Sequence, residues 1–233
     1  MKFFVISDVH GFYTEMKRAL DEAGFDPSNE DHWLISCGDN FDRGDEPEMV
    51  LEYLGCLPRK TLIRGNHEDL LEECCERGEA HGHDYHNGTY YTICELGDAG
   101  MGEGFYRCCE ITMARVGAFL DSMVDYFETK NYVFTHGYVP RVRDWRNAST
   151  LKWEQARWLN GMDCVHSGRE IDKCVVVGHW HTSWGRHVYE GKPEFDEGAD
   201  FSPYRLWDKL IAIDACTAYS RRVNVLVLED EFL

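Results

Sequence analysis

Six short segments of the chain each carry side chains that bind divalent cations, and each follows an apolar run. In order they are Asp8-Val9-His10-Gly11, Gly38-Asp39-Asn40-Phe41-Asp42-Arg43-Gly44, Gly65-Asn66-His67-Glu68, His136-Gly137, Gly178-His179-Trp180-His181 and Asp214. Carboxylates, imidazoles and amide oxygens are the donors that hard and borderline divalent metals take. Asp8 and His10 lie two apart, as do His179 and His181, and in extended backbone such pairs point to one side. A carboxylate at Asp39 can bridge two ions, Asn66 can add its amide oxygen, and His136 comes from a further segment. Taken singly, each segment has a structural explanation: a common D-x-H string, a cap after a turn, a core histidine. Taken as an ordered set, each member at the end of an apolar run, they point to metal binding.

The apolar runs read as buried strands at Lys2 to Ser7, Trp33 to Cys37, Lys60 to Arg64, Tyr132 to Thr135 and Cys174 to Val177. Leu210 to Ile213 and Val223 to Leu228 read as a closing β-hairpin. Phe12, Met16, Ala19, Leu20 and Ala23 share one helical face, with Gly24 as the stop. Asp45 before Glu46-Pro47 reads as the cap of a helix running to about Leu57. Further helices are expected from Glu68 to Arg77, from Thr112 to Glu128 and from Trp153 to Leu159. Residues 78–104 show little periodicity and read as a long surface excursion, of the kind that is usually functional. Within it, Asn87-Gly88 is expected as a turn overhanging the site, and His81, His83 and His86 as a solvated polar stretch. Strands alternating with helices predict a layered α/β fold in one domain, residues 1–233, with ligands at the strand carboxyl ends.

Composition narrows the rest. A hydrophobic fraction of 43% and a charged fraction of 28% are those of a soluble globular protein. No apolar run is long enough to span a bilayer, and the N-terminus reads as a first strand rather than a leader, so the expected location is cytoplasmic. The ten cysteines lack a C-x-x-C and a compact framework, which predicts free thiols. A net charge of −18 argues against non-specific nucleic-acid binding. An anionic substrate then needs a locally basic stretch, and Arg141, Arg143, Arg146, Lys152 and Arg157 supply one. Trp145, Trp153 and Trp158 lie in the same stretch, either as core or as a platform for a base.

The strings D-x-H-G, G-D-x-x-D-R-G and R-G-N-H-E, with the later histidines, resemble the calcineurin-like metallophosphoesterase superfamily. Within it they resemble the branch of phosphoprotein phosphatases, bacterial and phage serine/threonine phosphatases, and symmetrical diadenosine tetraphosphate hydrolases. The resemblance implies a β-sandwich flanked by helices, with two divalent ions at strand ends. It assigns Asp8, His10, Asp39 and His181 to one ion, and Asp39, Asn66, His136 and His179 to the other. It makes His67 the general acid, Asp42 its orienting partner, Arg43 the phosphate grip and Asp214 a support behind the ligands. Arg157, four residues after Trp153, is the matching second phosphate arginine. Gly137-Tyr138 departs from the small pair usual in the branch, so Tyr138 is expected to wall the pocket. Manganese is the first choice of metal, with iron, zinc, nickel or cobalt as alternatives. The implied activity is hydrolysis of phosphate esters by a metal-activated hydroxide, foremost as a serine/threonine-type phosphatase. The other readings are a symmetrical dinucleoside polyphosphate hydrolase and a non-catalytic metal- and phosphate-binding regulator. The implied substrate is a phosphorylated small molecule, a nucleotide or a phosphopeptide, with no membrane partner.

Overall fold

The computed structural model describes residues 1–98 and 104–233. The elements run β1 (Lys2–Ile6), α1 (Tyr13–Glu22), β2 (His32–Ser36), α2 (Pro47–Cys56), β3 (Lys60–Leu62), α3 (Asn66–Arg77), α4 (Gly82–Asn87), α5 (Thr89–Gly97), α6 (Phe105–Asp121), β4 (Tyr126–Glu128) and β5 (Tyr132–Thr135). They continue with α7 (Thr150–Arg157), α8 (Gly161–His166), β6 (Cys174–Val177), α9 (Thr182–Glu190), β7 (Tyr204–Leu206), β8 (Leu210–Ala212), α10 (Thr217–Ser220) and β9 (Leu226–Glu229).

Two sheets, ordered β3-β2-β1-β9 and β4-β5-β6-β8-β7, face each other. Side chains alternate across a strand, and β1 and β6 show how both faces are buried. Phe3 and Val5 join Ile35, Phe134, Val176 and Ile211 in the inter-sheet core. Phe4 and Ile6 point the other way, into a cluster with α1, α2, α3, α5 and α6. Val175 and Val177 pack outward against Trp153, Met162 and Val165 of α7 and α8. The result is the expected layered α/β sandwich with helices on both outer faces.

Parallel pairing sets the position of the site. β1, β2 and β3 are parallel to one another, and so are β5, β6 and β8. The carboxyl ends of β1, β2 and β3 therefore fall on one edge of their sheet, and those of β5, β6 and β8 on one edge of the other. The two edges meet, because His136 Nδ1 donates to the Cys37 carbonyl at 2.7 Å and a Cβ at Gly178 would collide with Ser7 and Asp8.

Several expectations are corrected. The expected hairpin does not form: β8 pairs with β6 and β7 in one sheet, while β9 pairs antiparallel with β1 in the other. Nearness in sequence favours a hairpin, but the chain here crosses between layers. The expected helix from Thr112 to Glu128 starts earlier, at Phe105, and stops at Asp121; Tyr126–Glu128 is strand β4, whose Phe127 packs into the inter-sheet core. The Pro47 helix is preceded by Glu46 rather than capped by Asp45, and Glu46 instead accepts hydrogen bonds from Thr14. The excursion at 78–104 is largely helical, as α4 and α5; residues 99–103 lie outside the described part. α5 buries Thr89, Thr92, Ile93 and Leu96, spaced i, i+3, i+4 and i+7. Two of these four are threonines, which hides the stripe from an apolar count. All ten cysteines are free thiols. No described helix is long and apolar enough to cross a membrane.

Candidate metal centre and phosphate site

Three of the ligand segments, those of Asp8, Asp39 and His179, leave their strands through sharp turns. Asp8, His10, Asp39, Asp42, Arg43 and His179 all have positive φ, from 51° to 70°. Non-glycine residues hold that conformation at a cost of about 1–3 kcal/mol each, and do so mainly at functional sites. This also corrects the pleat argument. Asp8 and His10 converge because both sit in left-handed turns, not because the backbone is extended.

Asp39 is the centre of the arrangement. His10, Asp39 and His67 bring one ligand atom each to within 4.8 Å of one another, and so do Asp39, His136 and His179. Asp39 Oδ2 lies 3.8 Å from His10 Nε2 and 3.9 Å from His67 Nε2. Its Oδ1 lies 3.3 Å from His136 Nε2. One carboxylate thus offers one oxygen to each cluster. Asp8 Oδ1 is 4.0 Å from His10 Nε2, and Asn66 Oδ1 is 2.9 Å from His136 Nε2. The far ring nitrogens are pinned: His10 Nδ1 donates to the Phe41 carbonyl at 3.0 Å, as His136 does to Cys37. Such bonds fix the tautomer and leave Nε2 free as a donor to a cation.

The charges of the cluster depend strongly on burial and on one another. Burial pushes Asp8 well above the usual carboxylate range, and Asp214 and Asp39 add to it. Burial likewise lifts Asp214 to about 6. Asp39 is held well below its ordinary value although burial opposes this, because His136, His67 and His10 surround it. His136 is raised to about 10, against burial, chiefly by Asp39. His179 falls to about 3 through burial and the nearby His136. Buried carboxylates and imidazoles crowded together in this way form an N/O donor set that fits divalent cations.

A family model described as calcineurin-like phosphoesterase matches residues 1–207, which covers the whole of this ligand set except Asp214. The chain belongs to that family. Among the relatives of this phosphoesterase chain, serine/threonine-protein phosphatase 2 of Escherichia coli (strain K12) is 40% identical over 76 residues, which is 33% of this chain and 34% of that protein. A symmetrical bis(5'-nucleosyl)-tetraphosphatase of Glaesserella parasuis is 35% identical over 69 residues, 29% of this chain and 25% of that one. These matches thus span about a third or less of the curated relatives. In solved structures, the fold resembles a cold-active protein-tyrosine phosphatase of a Shewanella species, with TM-score 0.63 and 17% identity, covering 98% of this chain and 75% of that one. It also resembles a putative diadenosine tetraphosphatase, with TM-score 0.61 and 13% identity, covering 97% and 89%.

His67, in the first cluster, and Arg43 beside it are the residues that the sequence suggested as acid and phosphate grip. His67 Nδ1 donates to Asp42 Oδ2 at 2.7 Å. Burial disfavours protonated His67, yet Asp39 and Asp42 raise its pKa overall. The Arg43 guanidinium spans the two rings, with one nitrogen 2.7 Å from His10 Nε2 and another 3.1 Å from His67 Nε2. Asp214 is buried; its Oδ1 accepts from Cys216 N at 2.6 Å, and its carbonyl accepts from Thr182 N.

Three expected participants are not brought in. His181 stands apart from both clusters: its Nδ1 accepts from Trp184 N at the start of α9, so the proton sits on Nε2, which faces Glu194 at 3.5 Å. Arg157 spends its guanidinium on Asp69 and Asp125 and is buried between them, so its charge is already neutralised. Tyr138 does not wall the pocket: it is buried in the outer core, with its hydroxyl donating to the Arg169 carbonyl. Arg146 is likewise paired, with Glu128 and Asp172. Trp145 and Trp153 are core, whereas Trp158 is 53% exposed, with its ring 5.8 Å from that of His179. His81 pairs with the exposed Glu79, as a solvated stretch would, whereas the half-exposed His83 pairs with the buried Asp84.

The structure adds residues that sequence reasoning left without a role. The fully buried Glu68 carboxylate accepts from Asp39 N, Asn40 N, Asn40 Nδ2 and Gly65 N at 2.8–3.0 Å, tying two ligand loops together. Gly88 is packed against the Arg43 backbone: it has φ +92° and lies so close that a Cβ would collide with Arg43 N. Thr89 and Thr92 follow it and bond to Asp42. The i, i+3, i+4, i+7 spacing of 89–96 was the available signal for them.

Proposed function

We propose that this chain is a dinuclear metal-dependent phosphoesterase, acting foremost as a phosphatase of the serine/threonine type. The observation that carries the reading is Asp39, shared by two ligand clusters, with Arg43 and the His67–Asp42 pair at their edge. Asp8, His10 and Asp39 would hold one ion, and Asp39, Asn66, His136 and His179 the other. His181 would join the first only by turning its ring from Glu194. Manganese is the metal we favour; iron, zinc, nickel and cobalt suit the same donors. When bound, two such ions supply Lewis acidity to the phosphoryl group and acidify a water. Arg43 binds the equatorial phosphoryl oxygens through its planar fork and offsets their charge. His67 gives its Nε2 proton to the departing oxygen, so no bare alkoxide is expelled. Asp42 keeps the His67 Nδ1–H in place and stabilises the charged ring. The crowded loops exclude bulk water, which strengthens each of these interactions.

The substrate class is inferred from a groove of about 440 Å³ between α3 and α7, whose lining residue Trp158 has its ring 5.8 Å from that of His179. Asp69, Glu72, Glu73, Glu76 and Glu154 line it, with Leu151 and Trp158 as its apolar part. Asp69 and Glu72 are paired with Arg157 and Arg64, so Glu73, Glu76 and Glu154 carry the groove's net charge; they repel the distal phosphates of a polyphosphate and favour a peptide with basic residues. The test is a panel of phosphopeptides, nucleotides and dinucleoside polyphosphates with manganese. Basic phosphopeptides should turn over fastest, and Asp39→Asn should abolish turnover. Absence of hydrolysis with every divalent metal would sink the reading. The second reading, symmetrical dinucleoside polyphosphate hydrolysis, is supported by the exposed Trp158 as a stacking face for a base. It predicts symmetric cleavage faster than that of any monoester.

A further inference from the structure

Asp42 Oδ2 accepts two hydrogen bonds, from His67 Nδ1 and from Thr89 Oγ1, each at 2.7 Å. The Asp42 backbone N–H is held by Thr92 Oγ1 at 3.0 Å. Both threonines belong to α5, outside every ligand-bearing segment, and both are buried. Asp42 Oδ1 is buried with no hydrogen-bond partner. The orientation of the carboxylate is therefore fixed through Oδ2 alone. One bond to the imidazole sets a distance but not the rotation about χ2, a torsion that is intrinsically broad for aspartate. The second bond, arriving from another helix, removes that freedom. The backbone needs the same support, because Asp42 and Arg43 sit at φ +70° and +69°.

We propose that Thr89 is a positioning residue for the Asp42–His67 pair, acting through Asp42 to aim the imidazole at the leaving group. The proposal rests on the reading of His67 as the leaving-group acid. Helix α5 then has a chemical purpose: it delivers one hydroxyl to Asp42 Oδ2 and one to Asp42 N, and it seats Gly88 against Arg43. A threonine with only a structural role could satisfy its hydroxyl on nearby backbone, as such residues commonly do near helix starts. Thr89 instead spends it on the carboxylate oxygen that already holds His67.

The discriminating experiment compares substrates whose leaving groups differ in their need for a proton. Wild type, Thr89→Val and Thr89→Ser are assayed with manganese on a phosphoserine peptide and on 2,4-dinitrophenyl phosphate. Thr89→Val should lower kcat for the peptide about tenfold, the weight of one buried hydrogen bond, with KM unchanged. The activated aryl ester leaves without a proton, so its kcat should change by less than about twofold. Thr89→Ser keeps the hydroxyl and should restore the peptide rate. In the metal-free protein, the His67 Nδ1–H resonance should move in Thr89→Val and return in Thr89→Ser. Equal losses on both esters, no loss on the peptide, or an unmoved ring proton would overturn the proposal. Should Thr89→Val not fold, Thr89→Ala serves with the same readouts. A wild type that hydrolyses no ester with any divalent metal would refute the phosphatase reading instead, and the ring proton would still decide whether Thr89 positions the pair.

Discussion

Glu68→Gln is the most informative perturbation, because it exchanges one oxygen for an NH2 and meets Asp39 only at the backbone N–H, away from the carboxylate proposed to bind metal. The buried carboxylate accepts from Asp39 N and Gly65 N on Oε2, and from Asn40 N and Asn40 Nδ2 on Oε1. In the glutamine variant the amide oxygen can keep only one of these pairs. If it stays with Asp39 and Gly65, the new NH2 faces two donors. The Asn40 amide can turn over, because its partner Ser36 Oγ both donates and accepts. The Asn40 backbone N–H cannot turn, so one buried donor is orphaned at a cost of about 1–3 kcal/mol. The remaining bonds also lose their charge-assisted strength. Opposing this, burial and the nearby Asp39 already disfavour the Glu68 charge and raise its pKa, so neutralisation returns part of the loss. The net expectation is a destabilisation of about 2 kcal/mol. For a chain of this size that is a Tm lower by about 4–8 °C. Because Glu68 also fixes the Asp39 backbone, manganese affinity should fall about 10–100-fold, as it does when partners behind a ligand are lost. Chemical denaturation of the metal-free protein and calorimetric manganese titration measure the two effects. A stability change below about 0.5 kcal/mol together with an unchanged manganese affinity would refute the reasoning.

Three further outcomes follow from particular contacts. Gly88→Ala adds a Cβ at φ +92° that collides with Arg43 N, and should cost about 1–3 kcal/mol and lower kcat/KM; Gly82→Ala, where a Cβ meets nothing within 4 Å, should do neither in the same denaturation and rate assays. His136 has its pKa raised to about 10 in the metal-free protein, against burial and chiefly by Asp39, so it is protonated at neutral pH. A cation needs the neutral ring, so binding should release about one proton and tighten up to about tenfold per pH unit between about pH 7 and 9; calorimetry in two buffers of different ionisation enthalpy measures the release, and none would contradict the assignment. Asp230 has a native pKa lowered, against burial, by hydrogen bonds from Thr129 and Asn131. Its stabilisation is present above the unfolded value of about 3.9 and is lost as pH falls through the lower native value; Asp230→Asn should cost about 1 kcal/mol at neutral pH and flatten that acid limb of the denaturation profile.

The sequence by itself determined the ligand chemistry. The strands were legible because β1, β2, β5 and β6 are short apolar runs ending in ligand residues, a pattern local enough to see in one dimension. His67, Asp42 and Arg43 were legible for the same reason, since their motif strings are contiguous. What only the tertiary structure decided lies in contacts between segments distant along the chain. Asp39 meets His136 across 97 residues because the parallel strands of two sheets present their carboxyl ends to each other, not because of any spacing in the sequence. Arg157 and His181 have the right side chains at matching positions, yet Asp69, Asp125 and Glu194 claim them, and competition of that kind depends on which surfaces pack together. Thr89, Thr92 and Glu68 gain their roles only on folding, when hydroxyls and a carboxylate of ordinary appearance become partners of buried polar groups around Asp39 and Asp42. A sequence states which donors and acceptors exist; burial decides which of them must find each other.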